Sequence, residues 1–298
     1  MLTFLPPAAR GVIASLLLVL NTALHSLPVF FVALVKLLIP FKPWRRQCTR
    51  ALNGLVSSWI IVNTGWMRLT QDIDWRITGD KDLSPNEWYL VTCNHQSWGD
   101  IFIVQRLLNR RVPQLKFFLK QELIWVPVIG LCWWALDYPF MKRYSRSELK
   151  KHPEKIGKDL ETAQRACEKF RDVPVSIFNF MEGTRFTPAK HKLQNPPYRH
   201  LLKPRAGGTG YVLSAMGSRL SNLIDITISY EPQPPTFWDF LCGRLDRIRV
   251  HIERGPIPEE LLGRDYLEDA QFRKNLQRWV KDLWADKDER LEAMRRGE

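Results

Sequence analysis

The feature that most limits how this chain can fold is a nearly unbroken apolar run from Val12 to Ile39. As a helix, these 28 residues would be about 42 Å long, enough to cross a hydrocarbon layer of about 30 Å with tilt. A cleaved signal peptide is the alternative, but its apolar region is shorter and a small-residue cleavage pattern should follow it. The run therefore predicts a membrane helix, interrupted mainly by polar or charged residues at Asn21, Thr22, His25, Ser26 and Lys36.

A second segment, from Leu52 to Leu69, predicts an amphipathic helix. Its apolar residues recur near the i, i+3, i+4, i+7 spacing of one helix face, and polar residues lie mainly opposite. This pattern is typical of a helix lying in a membrane interface rather than of a second span. Trp59 and Trp66 suit the headgroup boundary. The residues of the apolar face are Leu52, Leu55, Val56, Trp59, Ile60, Trp66 and Met67.

The basic residues around these segments predict the orientation. Arg10 lies upstream of the apolar run, and the stretch after it carries Lys42, Arg45, Arg46 and Arg50. The positive-inside rule then places the chain after about residue 40 in the cytoplasm, at the cell inner membrane. One span and a hairpin dipping into the cytoplasmic leaflet both fit. We interpret residues 1–71 as a membrane anchor.

The overall charge also indicates an anionic partner. Lysine and arginine number 44 against 31 acidic residues, a formal charge of +13. We found no nucleic-acid recognition motif, so an anionic lipid surface or an acidic protein fits better than nucleic acid. Five scattered cysteines without a C-x-x-C pair argue against a disulfide framework or zinc ribbon, and no ligand spacing predicts a metal site. A lipid-binding module without catalysis remains a second hypothesis.

From residue 72 to residue 298, short β-branched and aromatic runs alternate with helical patterns. This alternation predicts a single α/β domain with a partly parallel mixed sheet flanked by helices. Helices are expected at 153–170 and 270–294, and the polar, proline-rich stretch 186–205 is expected to be a long surface loop. The candidate strands are Asp74 to Thr78, Trp88 to Cys93, Lys116 to Leu119, Val175 to Phe180, Ile224 to Tyr230 and Arg247 to Glu253.

Asn94 to Asp100, with the sequence NHQSWGD, forms the first candidate site. It follows a predicted strand and precedes a predicted helix, a crossing where α/β sheets place their sites. His95 and Asp100 can pair only if His95 lies in the loop and Asp100 at the helix start. The carboxylate would then fix the imidazole tautomer and leave the other nitrogen as a base. A structural histidine that caps the strand is the alternative interpretation.

The second candidate cluster is Glu182, Gly183, Thr184 and Arg185, directly after the predicted strand 175–180. Two polar clusters at two strand ends can meet at one site. Glycine permits close approach, backbone N–H groups donate, and a guanidinium can bind a phosphate bidentately. Taken singly, the cluster could be a turn with a surface arginine.

Three other chemistries are less well supported. Cys93 lies two residues before His95, but strand alternation makes it a core residue rather than a nucleophile. The chain lacks the G-x-S-x-G elbow of α/β hydrolases. The run from Gly207 to Gly210 is not a G-x-G-x-x-G fingerprint and is expected to open a helix that packs closely on a neighbour.

Taken together, these motifs resemble those of the glycerolipid acyltransferases typified by bacterial 1-acyl-glycerol-3-phosphate acyltransferase. Asn94, His95 and Asp100 match N-H-x-x-x-x-D, and the 182–185 cluster matches E-G-T-R. The resemblance extends from about residue 85 to 230 and is closest to a proteobacterial inner-membrane branch and its eukaryotic lysophospholipid relatives. Blocks similar to the family's K-x-E-L, P-x-x-G and terminal-arginine segments occur at Phe118–Leu123, Pro127–Gly130 and Pro139–Arg143.

The resemblance implies a reaction. A fatty acyl chain would pass from a thioester of acyl carrier protein or coenzyme A to the sn-2 hydroxyl of 1-acyl-glycerol-3-phosphate, giving phosphatidic acid. Another lysophospholipid in membrane remodelling is the alternative acceptor. No metal or other cofactor is expected. The implied partners are the membrane lysophospholipid, the acyl thioester and an anionic lipid surface.

The resemblance also implies roles for the site residues. His95 would take the hydroxyl proton, and Asp100 would orient it. Arg185, with Lys120 and Arg143, would bind the phosphate, while Glu182, Gly183 and Thr184 would contact substrate, with Glu182 positioning the glycerol or Arg185.

The sequence departs from the family pattern in three places that bear on lipid selectivity. Met181 replaces a common proline, Phe186 replaces a common serine, and a Val-Pro block appears only loosely at 224–227.

Overall fold

The computed structural model describes residues 1–141, 158–168, 170, 173–220 and 222–297. Two long helices open the chain, α1 (Pro7–Leu38) and α2 (Lys42–Thr70). Each has a proline in its first turn, where the missing N–H has no intrahelical partner to lose. Of the described residues, only α1 forms a helix long and apolar enough to cross a membrane.

The helices α1 and α2 pack antiparallel and are joined by polar contacts. The Asn21 amide donates to Asn63 Oδ1 at 2.8 Å and to the Trp59 carbonyl at 3.0 Å. Trp59 Nε1 donates to Thr22 Oγ1, and His25 Nε2 lies 3.1 Å from Ser58 Oγ. Asn21, Thr22 and His25, which interrupt the apolar run, therefore lie on its contact face with α2 and form hydrogen bonds with that helix.

A six-stranded mixed sheet forms the centre of the fold, in the order β1-β8-β7-β2-β6-β3. All neighbouring strands are parallel except β7 and β8, which are antiparallel. A separate parallel pair joins two short strands, β4 and β5. The strands are β1 (Asp74–Gly79), β2 (Tyr89–Cys93), β3 (Leu115–Phe117), β4 (Leu119–Lys120), β5 (Phe140–Met141), β6 (Ser176–Asn179), β7 (Asn222–Glu231) and β8 (Arg247–Pro256).

Helices cover both faces of the sheet, which confirms the predicted α/β architecture. Ile103 of α3 and Phe240 of α8 belong to a core on one face, together with the end of α2. The core on the other face includes Cys167 of α5, Val212 of α7 and Trp284 of α9. After α2, the helices are α3 (Gly99–Leu108), α4 (Ile129–Ala135), α5 (Lys158–Glu168), α6 (Pro188–Gln194), α7 (Ala206–Met216), α8 (Phe237–Leu241) and α9 (Ala270–Arg296).

Most predicted elements are confirmed, with small shifts of their ends. The helix expected over 270–294 is α9, and α7 begins at the Gly207–Gly210 run. Gly210 packs so closely on the Tyr266 ring that a Cβ would lie 2.1 Å from it. The helix expected over 153–170 is seen as α5 over 158–168. Residues 153–157 of that prediction lie outside the described part of the chain.

Three expectations were wrong. The stretch 186–205 is not a plain surface loop, because Thr187 caps α6 and Leu201 and Leu202 are buried. The strand expected over 116–119 is divided between β3 and β4, in different sheets. Trp66 is not at a headgroup boundary: it is 3% exposed and donates to Asn63, because the apolar face of α2 packs on protein.

Candidate active site

The two polar clusters meet at one edge of the sheet. Strands β2 and β6 are parallel neighbours, with Thr92 opposite Asn179, so their carboxyl ends lie side by side. His95 follows β2 by two residues, and Glu182 follows β6 by three. The ring of Phe180, in the same loop as Glu182, stacks on the His95 imidazole with centroids 3.8 Å apart. The predicted convergence of the clusters is therefore present.

His95 and Asp100 form a hydrogen-bonded pair. His95 lies in the loop after β2, and Asp100 lies in the first turn of α3, as their spacing requires. The distance from Nδ1 to Asp100 Oδ2 is 2.8 Å. Asp100 is fully buried, whereas the His95 side chain is 12% exposed. A buried carboxylate on Nδ1 fixes the tautomer in which Nε2 is the basic nitrogen.

Asp100 accepts further hydrogen bonds that sequence analysis missed. The backbone N–H groups of Gln96 and Ser97 donate to Oδ2 at 2.8 and 2.9 Å. The other carboxylate oxygen, Oδ1, accepts a hydrogen bond from the hydroxyl of Tyr230, on β7. Together with the contact to His95, these hydrogen bonds hold the Asp100 carboxyl group in position beside the imidazole.

Glu182 connects the His95 loop to the segment before α7. Its Oε1 accepts from the His95 N–H at 3.0 Å, and its Oε2 accepts from the Leu202 N–H at 3.1 Å. The Phe186 N–H, in the same loop as Glu182, donates to the His95 carbonyl at 2.7 Å. Burial raises the pKa of the Glu182 carboxyl to about 8, partly opposed by these backbone donors. The structure thus places Glu182 against the His95 backbone, which favours a positioning role.

The remainder of the E-G-T-R cluster forms a turn toward solvent. Gly183 has a φ of +70°, a left-handed conformation that favours glycine. Thr184 Oγ1 accepts from Lys190 Nζ at 2.7 Å. The guanidinium of Arg185 is exposed and lies 4.8 Å from the ring centre of Trp98, in the His95 loop. Arg185 therefore lies against Trp98 of the His95 loop and is open to a ligand.

Of the other two predicted phosphate ligands, the structure describes only Lys120. Lys120 is exposed on β4, in the two-stranded sheet, and no hydrogen bond or ion pair to the His95 loop is seen for it within the described residues. Arg143 lies outside the described residues.

Cys93 is not suited to covalent catalysis. It is fully buried at the end of β2. Burial raises the pKa of its thiol well above the usual range. A protonated, inaccessible thiol is a poor nucleophile, which agrees with the prediction that Cys93 belongs to the core.

Comparison with known proteins gives consistent similarities. The chain is 24% identical over 236 residues to the 1-acyl-sn-glycerol-3-phosphate acyltransferase epsilon of Mus musculus, covering 70% of this chain and 59% of that protein. It is 28% identical over 236 residues to the 1-acyl-sn-glycerol-3-phosphate acyltransferase 2 of Brassica napus, covering 71% of this chain and 56% of that protein. The chain thus spans little more than half the length of these relatives.

A solved structure and a family model extend these similarities. The fold is similar to that of the 1-acyl-sn-glycerophosphate acyltransferase PlsC from Thermotoga maritima, with a TM-score of 0.54, 18% identity and coverages of 94% and 98%. The proteobacterial branch stays a prediction. The family model described as Acyltransferase matches residues 74–230, more than half of the 298 residues, and the chain therefore belongs to the acyltransferase family.

Proposed function

We propose that the protein transfers a fatty acyl chain from an acyl thioester to the sn-2 hydroxyl of 1-acyl-glycerol-3-phosphate, giving phosphatidic acid. The observation that carries the proposal is the His95–Asp100 pair at the sheet edge, with the Arg185 guanidinium against Trp98 of the same loop. The mouse and Brassica relatives, which are named 1-acyl-sn-glycerol-3-phosphate acyltransferases, support this substrate.

The proposed chemistry uses groups of this chain and the two substrates. Nε2 of His95 takes the proton of the acceptor hydroxyl as its oxygen attacks the thioester carbonyl. The carbon–sulfur bond then breaks, and the imidazolium gives this proton to the leaving thiolate. Asp100, hydrogen-bonded to Nδ1, stabilises that imidazolium without taking its proton. Base and thioester supply all that the transfer needs, so we expect no metal or other cofactor.

Arg185 is the proposed phosphate ligand, and its removal should affect mainly the acceptor. We expect Arg185→Ala to raise the KM for the lysophospholipid roughly 10- to 100-fold, because a charge-assisted contact is lost, with a much smaller effect on the thioester KM. Arg185→Lys should recover only part of the loss, because lysine lacks the planar fork. Arg199→Ala removes an exposed arginine that pairs with Glu292 and is the control. A larger effect on the thioester would contradict the role.

The contacts of α1 support membrane attachment through one leaflet. Near its start, Arg10 donates to the Thr70 carbonyl and Gly11 packs on Cys242. Near its end, Lys36 pairs with Asp137, next to α4. Both ends of the helix thus contact the part of the chain that follows α2. A helix held in this way does not place its two ends on opposite sides of a bilayer while that part stays on one side.

We infer that α1 lies in the cytoplasmic leaflet of the inner membrane, with the catalytic residues facing the cytoplasm. Its outer side exposes large apolar residues to lipid, including Leu16, Leu20, Leu24, Leu27 and Phe31. A lysophospholipid would then keep its acyl chain in hydrocarbon, where each buried methylene contributes about 0.8 kcal/mol. The thioester would be supplied from the cytoplasm by acyl carrier protein or coenzyme A.

Single cysteines on a cysteine-free background test this topology. Phe4→Cys and Phe41→Cys report the two ends of α1, and Leu193→Cys reports the exposed surface of α6; these residues are 78%, 64% and 87% exposed. We expect an impermeant thiol reagent to label all three in inside-out membrane vesicles and none in right-side-out vesicles. Opposite labelling of positions 4 and 41 would instead show a span.

The activity itself is tested by supplying the purified protein in anionic phospholipid vesicles with one lysophospholipid at a time. Acyl-coenzyme A and acyl-acyl carrier protein are offered separately, and products are identified by mass spectrometry. Phosphatidic acid formed from 1-acyl-glycerol-3-phosphate in preference to products from other lysophospholipids supports the proposal. Preference for another headgroup would reassign the acceptor, and binding without turnover would leave a lipid-binding protein.

A further inference from the structure

Strand β7 extends beyond its neighbour β2 at the candidate active site. The two strands pair from Tyr89 opposite Asn222 to Cys93 opposite Ile226, where β2 ends. Strand β7 continues to Glu231. On the side where β2 would have continued, the last residues of β7 contact the loop that carries His95.

The first of these contacts is made by the buried side chain of Asn94. Its Nδ2 donates to the Ile228 carbonyl at 2.9 Å, and its Oδ1 accepts from the Ile228 N–H at 2.9 Å. The amide thus satisfies the backbone groups that another strand would have paired. Asn94 fixes the start of the loop against β7.

The second contact is made by Tyr230, which lies two residues after Ile228 on β7. Its hydroxyl donates to Asp100 Oδ1, and the side chain is 4% exposed. Burial and the neighbouring Asp100 raise the pKa of Tyr230 well above its usual range, so the hydroxyl stays protonated and the tyrosine is the donor. Within the described residues, no other donor to Oδ1 is seen.

We propose that Tyr230 is a positioning residue for the acyl transfer, which orients the Asp100 carboxylate and thereby sets the basicity of His95. This inference rests on the proposed function. A donor on Oδ1 draws negative charge away from the oxygen that faces the imidazole. Without it, Asp100 would stabilise the imidazolium more strongly, and His95 would keep its proton to a higher pH.

Other titratable groups surround the pair, and Tyr230→Phe changes none of them. Among the described residues they include Cys93 on β2, Glu182 and Arg185 in the loop after β6, Asp225 on β7 and Lys287 on α9. A change of His95 titration on loss of one hydroxyl can therefore be assigned to Tyr230.

We expect Tyr230→Phe to lower kcat/KM roughly tenfold and to move the acid limb of its pH profile up by roughly one unit. Replacement of Tyr230 by 3-fluorotyrosine, a stronger donor of nearly the same size, should move the limb down. Tyr89→Phe is the matched control: Tyr89 is fully buried and donates to Glu87 at 3.1 Å, so its loss should leave the limb unchanged.

Imidazole NMR gives a second readout that does not depend on turnover. The His95 signal is assigned by its loss in His95→Ala, and its titration is followed in wild type and in Tyr230→Phe in detergent. If the His95 titration differs between wild type and Tyr230→Phe but wild type shows no acyl transfer, the positioning role is supported and the proposed function is not. An unchanged titration and acid limb in both variants, with only a lower melting temperature, would overturn the role of Tyr230.

Discussion

His95→Ala should remove nearly all acyl transfer while the protein still folds. The imidazole is the base in the proposed reaction, and general base catalysis contributes typically ~10²- to 10⁴-fold. Its side chain is held by one hydrogen bond and one ring contact, so its loss leaves the backbone contacts of the loop in place. Turnover is measured with 1-acyl-glycerol-3-phosphate in vesicles, and folding by circular dichroism and melting temperature.

Asp100→Asn should be nearly as severe for a different reason. Asparagine can present an N–H to Nδ1 and so favour the wrong tautomer, and its N–H₂ group can face the backbone donors of Gln96 and Ser97. His251→Ala, at a partly exposed site on β8 that contacts Thr78, is the matched control and should keep its activity. A folded His95→Ala protein with near-normal turnover would reject the assignment of the base.

How well each contact of the site could be predicted depends on how far apart its two residues are in the sequence. His95 and Asp100 are five residues apart and belong to one strand–loop–helix unit, so local spacing was enough to predict their pairing. The meeting of this unit with Glu182 followed from a general rule about parallel strands. The contact of Tyr230 with Asp100 spans 130 residues, and nothing in the sequence around either residue indicates it.

The fold shows the same limits. Short runs of β-branched and aromatic residues predicted the strands, because the central strands β2 and β7 are buried along nearly their whole length. The environment of α2 was predicted wrongly because an apolar stripe looks the same whether it faces lipid or protein. Asn21, Thr22 and His25 carried the missing information, since polar side chains within an apolar helix favour hydrogen bonds to a neighbouring helix.

Glu182→Ala should cause the second large loss, through position rather than chemistry. It removes the acceptor of the His95 and Leu202 N–H groups, and each buried donor left unpaired costs about 1–3 kcal/mol. With the His95 backbone released, a shift of the imidazole by about 1 Å should lower kcat roughly 100-fold. Glu182→Gln keeps one amide oxygen and should lie between wild type and Glu182→Ala in both activity and stability.

Stability should also depend on the charge of Glu182. Its pKa is about 8 in the folded protein, against an ordinary value of 4.5. Between these values the unfolded chain has lost the proton and the folded protein keeps it, so stability falls as pH rises, by up to about 1.4 kcal/mol per unit. Glutamine does not titrate. The melting temperature of wild type relative to Glu182→Gln should therefore decline from pH 5 to pH 8 and then level off. A constant difference over that range would show that the buried carboxyl ionises with an ordinary pKa, and that its backbone hydrogen bonds outweigh its burial.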